Sequence, residues 1–236
     1  MVHILLFDID GTLVLTGGAG GRAMTRAFED LFQIADAFRG IPMPGRTDLV
    51  ILTDAAARAG IALDPPRLTH FRERYCTYLS DEILIGGPRK GVMPGVRPLL
   101  DALQHRGDVI LALLTGNYES AARIKLEHFD LWRHFTGGAY GDEGPDRNAL
   151  VPVALRRIAA LNAPPAEPAS VVVIGDTPLD IACARSAGAR AIAVATGSHS
   201  VDELAACQPD AVLPDLADTT AFLRLLDEWA GDVALK

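Results

Sequence analysis

Asp8 and Asp10 are separated by one residue in the segment Asp8-Ile9-Asp10-Gly11-Thr12-Leu13, which closes the apolar run that begins at Val2. A short, continuously apolar run predicts a parallel strand buried on both faces. Open α/β sheets bind their ligands beyond the carboxyl ends of such strands. The two-residue period of a strand turns both acids the same way and Ile9 the other. Unpaired carboxylates in that setting are costly, so they call for a cation or a chemical task. Asp-x-Asp can bind a hard cation such as Mg²⁺ through oxygen. It can equally supply a nucleophile beside a general acid/base. Gly11 and Thr12 fit a tight turn that offers a hydroxyl and backbone N–H groups to an anion.

Three later segments carry compatible chemistry. Leu113-Leu114-Thr115-Gly116-Asn117 ends a second apolar run. The Thr115 hydroxyl, the Asn117 amide and the N–H groups of a following helix could hold phosphoryl oxygens, although Thr or Asn there also suits plain helix capping. In Gly175-Asp176-Thr177-Pro178-Leu179-Asp180 another acid ends another run. Asp176 would face the same crevice, and Asp180 falls in the first helical turn, where it could orient ligands or simply complement the helix dipole. The polar loop 142–148 leads into a helix near Leu150 and contains Arg147, a cation able to offset a nucleophile and a phosphate.

The elements that must position these groups alternate. Apolar runs recur at Val109–Leu114, Val171–Ile174 and Ala191–Val194, with amphipathic stretches near 120–129, 150–161 and 179–187. That rhythm predicts an α/β fold: a doubly wound, Rossmann-like, mostly parallel sheet. Residues 16–88 interrupt it with three helical patterns, near 22–34, 48–60 and 66–83, flanked by Gly17–Gly21 and by Gly86-Gly87-Pro88. We expect a helical cap at 16–88, inserted into a core made of 1–15 and 89–236. The glycine-rich joints serve either as loops or as hinges for a lid. Within the cap, Gly45-Arg46-Thr47-Asp48 enters the second helix with Thr47 or Asp48 as its N-cap, and Arg46 could meet an anionic substrate group.

Composition narrows the choice. The 236 residues carry a net charge of −8, which argues against a nucleic-acid surface but leaves room for a small anion held by a local cation or metal. Cys76, Cys183 and Cys207 show no metal-ligand spacing and read as free thiols in a reducing compartment. No leader peptide and no membrane span is evident, so a cytoplasmic protein, monomeric or weakly dimeric, is expected.

In their order, DIDGT, LLTGN, a basic residue before a helix and GDTPLD resemble the haloacid dehalogenase-like hydrolases. The helical insert after the first motif is similar to the cap of the phosphoglycolate phosphatase and β-phosphoglucomutase-like branch. The resemblance runs from Val2 to about Asp215. It implies that Asp8 is the nucleophile and Asp10 the general acid/base. Mg²⁺ would be held by the Asp8 carboxylate, the Asp10 backbone carbonyl and Asp176, with Asp180 supporting them. Thr115, Gly116 and Asn117 would bind the transferring phosphoryl group. The family's usual basic residue is lysine; here Arg147 stands in that place, and of Lys90, Lys125 and Lys236 none follows the second motif where that lysine belongs. The implied activity is Mg²⁺-dependent hydrolysis of a small phosphorylated metabolite. Dehalogenation would leave Asp10 without a task, and phosphonate hydrolysis needs a cap lysine that the insert lacks. A phosphomutase shares the same chemistry, and a non-catalytic binding module on the same scaffold is the reading from another class.

Overall fold

The computed structural model describes residues 2–144, 146–161 and 167–234; Pro145 of the polar loop and Lys236 lie outside them. Its main sheet has six parallel strands in the order β5-β4-β1-β6-β7-β8. These are β1 (His3–Phe7), β4 (Val109–Leu114), β5 (Gly138–Ala139), β6 (Val171–Gly175), β7 (Arg190–Val194) and β8 (Ala211–Leu213). The helices of the core are α4 (Val96–Gln104), α5 (Glu119–His128), α6 (Leu150–Ala160), α7 (Pro178–Ser186), α8 (Val201–Ala206) and α9 (Thr219–Ala234).

Alternation along the strands divides the core into two layers, as it must when both faces of a sheet are covered. Leu5, Phe7, Leu113, Ile174 and Val194 pack against α4 and α9, joined by Leu126 of α5. Ile4, Leu6, Leu114, Val173 and Ala193 pack against α6, α7 and α8. The strands are therefore apolar at nearly every position, with His3 and Arg190 only at the starts of β1 and β7, and each is interior to the sheet or short.

A two-stranded antiparallel ribbon, β2 (Val14–Leu15) with β3 (Gly91–Val92), marks where the helical insert leaves and rejoins the core. Between them run α1 (Ala19–Phe32), α2 (Asp48–Arg58) and α3 (Pro65–Glu82). The expected helical spacing in α3 buries Phe71, Tyr75 and Leu79, which join Phe28, Leu52 and Ile51 in a third apolar cluster. Tyr118 and Ala121 of the α5 region belong to that cluster as well, so α5 packs on both the insert and the core. The ends of the insert are held together by Glu82, which takes Arg22 at 2.7 Å and Arg26 at 2.8 Å. Among the described residues, no helix is long and apolar enough to cross a membrane.

Candidate active site

Strand register decides what meets what. Phe7 lies level with Leu113 on one side and with Ile174 on the other, so the residues that follow these strands share one crevice. β1 lies at the point where the order of strands reverses, which is where open α/β sheets bind ligands. Both acids of the first motif lie past the last strand residue, and each has its own partners.

Asp8 is buried, and its Oδ1 lies 2.8 Å from Arg147 Nη2. The same Nη2 also contacts Asp180 Oδ1. Arg147 is steadied by donating to the carbonyls of Leu114 and Gly45, both at 3.2 Å. Asp180 Oδ2 accepts from Thr177 N at 3.0 Å and from Thr177 Oγ1 at 2.6 Å, closing a capping box at the start of α7. Asp180 thus holds Arg147 with one oxygen and the helix start with the other.

Carboxylate oxygens of Asp8, Asp176 and Asp180 lie within 4.8 Å of one another. One guanidinium faces three buried acids. Burial pushes the Asp8 carboxyl up to about 6, against the pull of Arg147 and with the added repulsion of Asp180. Burial also lifts Asp176 to about 8, helped by the charges of Asp8 and Asp180. Burial works against the charge of Arg147, yet Asp180 and Asp8 outweigh it and keep the guanidinium ionised. A Cβ on Gly11 would come within 2.5 Å of Asp176 Oδ2, and one on Gly197 would overlap that carboxylate outright; only glycine leaves this cradle open. Crowded hard-oxygen acids with surplus negative charge suit a small divalent cation such as Mg²⁺. Thr12 is buried, and its hydroxyl points to Asp176 Oδ1 at 3.4 Å.

Asp10 has a different environment. Its Oδ2 accepts from Asn117 Nδ2 at 2.8 Å and from Lys125 Nζ at 2.6 Å. Lys125 also donates to Asn117 Oδ1 at 2.6 Å, and Asn117 Nδ2 reaches Thr115 Oγ1 at 2.8 Å. Thr115 and Asn117 do not cap α5, whose N-cap is Tyr118 with no side-chain bond. Their side chains are bonded to each other, and that of Asn117 is bonded to Asp10 as well.

Lys125 is the residue that sequence reasoning missed. It does not occupy the place of the family's lysine. The available signal was its position among Ala121, Ala122, Ile124 and Leu126: a lysine on the apolar side of an amphipathic helix needs a buried anion.

The insert completes the crevice. Thr47 is the N-cap of α2, accepting from Val50 N at 3.2 Å. Asp48, the other cap candidate, instead donates its N–H to Gly116 O at 2.7 Å, and its Oδ2 accepts Tyr118 N–H at 2.9 Å. Arg46 lines the crevice, but its guanidinium is paired with Asp54 at 2.6 Å and donates to Pro42 O at 3.0 Å. The cavity between insert and core is about 550 Å³ and opens to solvent. Asp8, Asp10, Thr115, Gly116, Asn117, Arg147 and Asp176 line it from the core, and Met24, Met43, Asp48 and Ile51 from the insert.

The family model described as haloacid dehalogenase-like hydrolase matches residues 5–185. The chain belongs to the haloacid dehalogenase-like hydrolases. It is 30% identical to the phosphoglycolate phosphatase of Rhodospirillum rubrum, with 98% of this chain and 92% of that one covered. To the probable phosphatase IndB of Dickeya dadantii it is 27% identical, over 96% of this chain and 95% of the other. The fold matches the solved structure of a predicted phosphoglycolate phosphatase from Haemophilus somnus, with a TM-score of 0.67, 22% identity and coverage of 94% and 98%. It also matches a β-phosphoglucomutase from Clostridium difficile, with a TM-score of 0.70, 16% identity and full coverage of both chains. The expected branch, the α/β fold and the reading as a phosphatase-type hydrolase stand with these findings.

Proposed function

We propose that this hydrolase removes the phosphoryl group from a small phosphorylated metabolite by way of an aspartyl phosphate on Asp8. The observation that carries the reading is the segregation of the two first-motif acids. Asp8 is buried against Arg147, while Asp10 has its own partners a residue away.

Asp8 Oδ attacks phosphorus in line with the ester oxygen. Arg147 lies where it can meet charge on the transferring oxygens. Thr115, Gly116 and Asn117 border the same space and would bind the phosphoryl group, with Thr12 holding Asp176 beneath it. The P–O bond to the leaving group breaks as Asp10 gives that oxygen a proton. Asp10 then takes a proton from water, whose oxygen attacks phosphorus and frees Asp8. Dividing the displacement into two easier steps is the gain of covalent catalysis. Mg²⁺, when bound, would be held by the Asp8 side chain, the Asp10 backbone carbonyl and Asp176, and would neutralise phosphoryl charge.

The helical insert at 16–88 serves as the cap that shapes the leaving-group side. Arg46 is its candidate for an anionic group on the substrate, provided it exchanges Asp54 for that group. An unchanged kcat/KM of Arg46→Ala for the true substrate would remove Arg46 from that role. The phosphatase reading is tested with a panel of phosphoglycolate, sugar phosphates, nucleotides and pyrophosphate, with and without Mg²⁺. We expect metal-dependent release of inorganic phosphate from one class; isomer formation in place of phosphate release would make the protein a mutase, and no turnover at all a binding module.

A further inference from the structure

We propose that Lys125 is a positioning residue for Asp10, and that it settles which oxygen of Asp10 moves the proton. The inference rests on the phosphatase reading above. Lys125 is 5% exposed at its side chain, whereas that of Asp10 is 42% exposed. The ammonium comes from the apolar side of α5 and makes two bonds of 2.6 Å, to Asp10 Oδ2 and to Asn117 Oδ1. Asn117 Nδ2 adds a second donor to the same Asp10 oxygen at 2.8 Å. Lys125 and Asn117 therefore form a closed triangle with Asp10 Oδ2.

Two donors on Oδ2 leave no place there for a transferable proton. Among the described residues no hydrogen bond reaches Oδ1, and Asp10, partly exposed, lines the cavity. The geometry makes Oδ1 the atom that protonates the leaving oxygen and later accepts the proton of water. Lys125 also divides the work of the site's cations: Arg147 serves the nucleophile, Lys125 the acid/base. An ammonium is suited to this task, because it is a compact charge that can bond several acceptors at once. Without it, Asp10 Oδ2 keeps only Asn117 Nδ2, and that amide has itself lost the ammonium on its Oδ1, so the carboxylate is free to turn about its χ angles.

The test separates leaving groups. An alkyl phosphate needs its oxygen protonated, whereas 4-nitrophenyl phosphate leaves without help. For Lys125→Met, kcat/KM should fall about 100-fold with the alkyl ester, within the range of a general acid. With the aryl ester, the same parameter should fall less than about five-fold, because kcat/KM covers only the steps up to departure of the leaving group. The kcat of both esters should drop, since attack of water on the aspartyl phosphate still needs Asp10. Retained aryl-ester kcat/KM also shows that the variant folds. Should Lys125→Met be insoluble, Lys125→Gln, which keeps a hydrogen-bonding tip without the charge, gives the same comparison. Equal losses for both esters, or no loss for either, would overturn the positioning role. A wild-type protein that hydrolyses neither ester would overturn the phosphatase reading itself, and the proposal with it.

Discussion

Asp48 and Tyr118 bind the insert to the core: the Asp48 carboxylate accepts the Tyr118 backbone N–H at 2.9 Å. On the other side of Asn117, Asp48 gives its own N–H to Gly116 O at 2.7 Å. The first residue of α2 thus spans the loop that carries Thr115 and Asn117. Burial pushes the Asp48 carboxyl up to about 7. Lys125 and the Tyr118 N–H draw it down, while Asp10 and Asp142 push it further up. A carboxyl raised in the folded state stabilises the fold below its ordinary value near 4, and that contribution is lost as pH rises toward 7.

Asp48→Asn keeps an acceptor for Tyr118 and does not ionise. Its stability relative to wild type should therefore improve between pH 5 and pH 8, by about 2–3 kcal/mol. Denaturant unfolding of both proteins at the two pH values measures this. A constant difference between them would show that Asp48 is not held protonated by its surroundings.

Asp8→Asn should abolish turnover, because an amide oxygen is no nucleophile toward phosphorus. Asp10→Asn should reduce turnover by about 10²–10⁴-fold, as expected for loss of a general acid/base. Mass measurement after an acid quench should find a phosphorylated chain in the Asp10 variant and none in the Asp8 variant. Metal-dependent hydrolysis surviving in Asp8→Asn would end the nucleophile assignment.

Three buried acids crowd one arginine where Asp176 stands. Chelation of divalent metal should stop activity, and Mg²⁺ should restore it. Adding Mg²⁺ should also raise the wild-type Tm through binding to the folded state. Asp176→Asn should lose that Tm response. In metal-free buffer at pH 8 or above the variant should be more stable than wild type, by about 1–3 kcal/mol, because a buried charge, further repelled by Asp8 and Asp180, is gone. A variant that responds to Mg²⁺ as the wild type does would take Asp176 out of the metal site.

A side chain at Gly116 would overlap the carbonyl of Arg46. Gly116→Ala should hold the insert away from the core and reduce kcat/KM by at least about ten-fold, since small misplacements at a reacting site carry large rate losses. Circular dichroism should show the core helices intact. Wild-type kinetics in this variant would mean that close docking of the insert is not needed for turnover.

Much of this was legible in the residue order. The apolar runs at 3–7, 109–114 and 171–174 placed their acids and hydroxyls beyond strand ends, because a strand buried on both faces admits polar groups only where it stops. Thr47 and Asp48 both suit an N-cap by residue type. Tertiary structure gave the cap to Thr47 because Asp48 had a better-placed N–H across the cleft in Tyr118. The site for Arg147 followed from motif order, but its simultaneous hold on Asp8 and Asp180 did not.

What the sequence determined by itself is the α/β fold and the acids at the strand tips, because periodicity and strand ends are local properties of the chain. What only tertiary structure decided is the assignment of partners. Lys125 reaches an aspartate 115 positions earlier in the chain, and the reach depends on how α5 is rotated between the insert and the sheet. Such a rotation is set by packing on two sides at once, which no local pattern encodes.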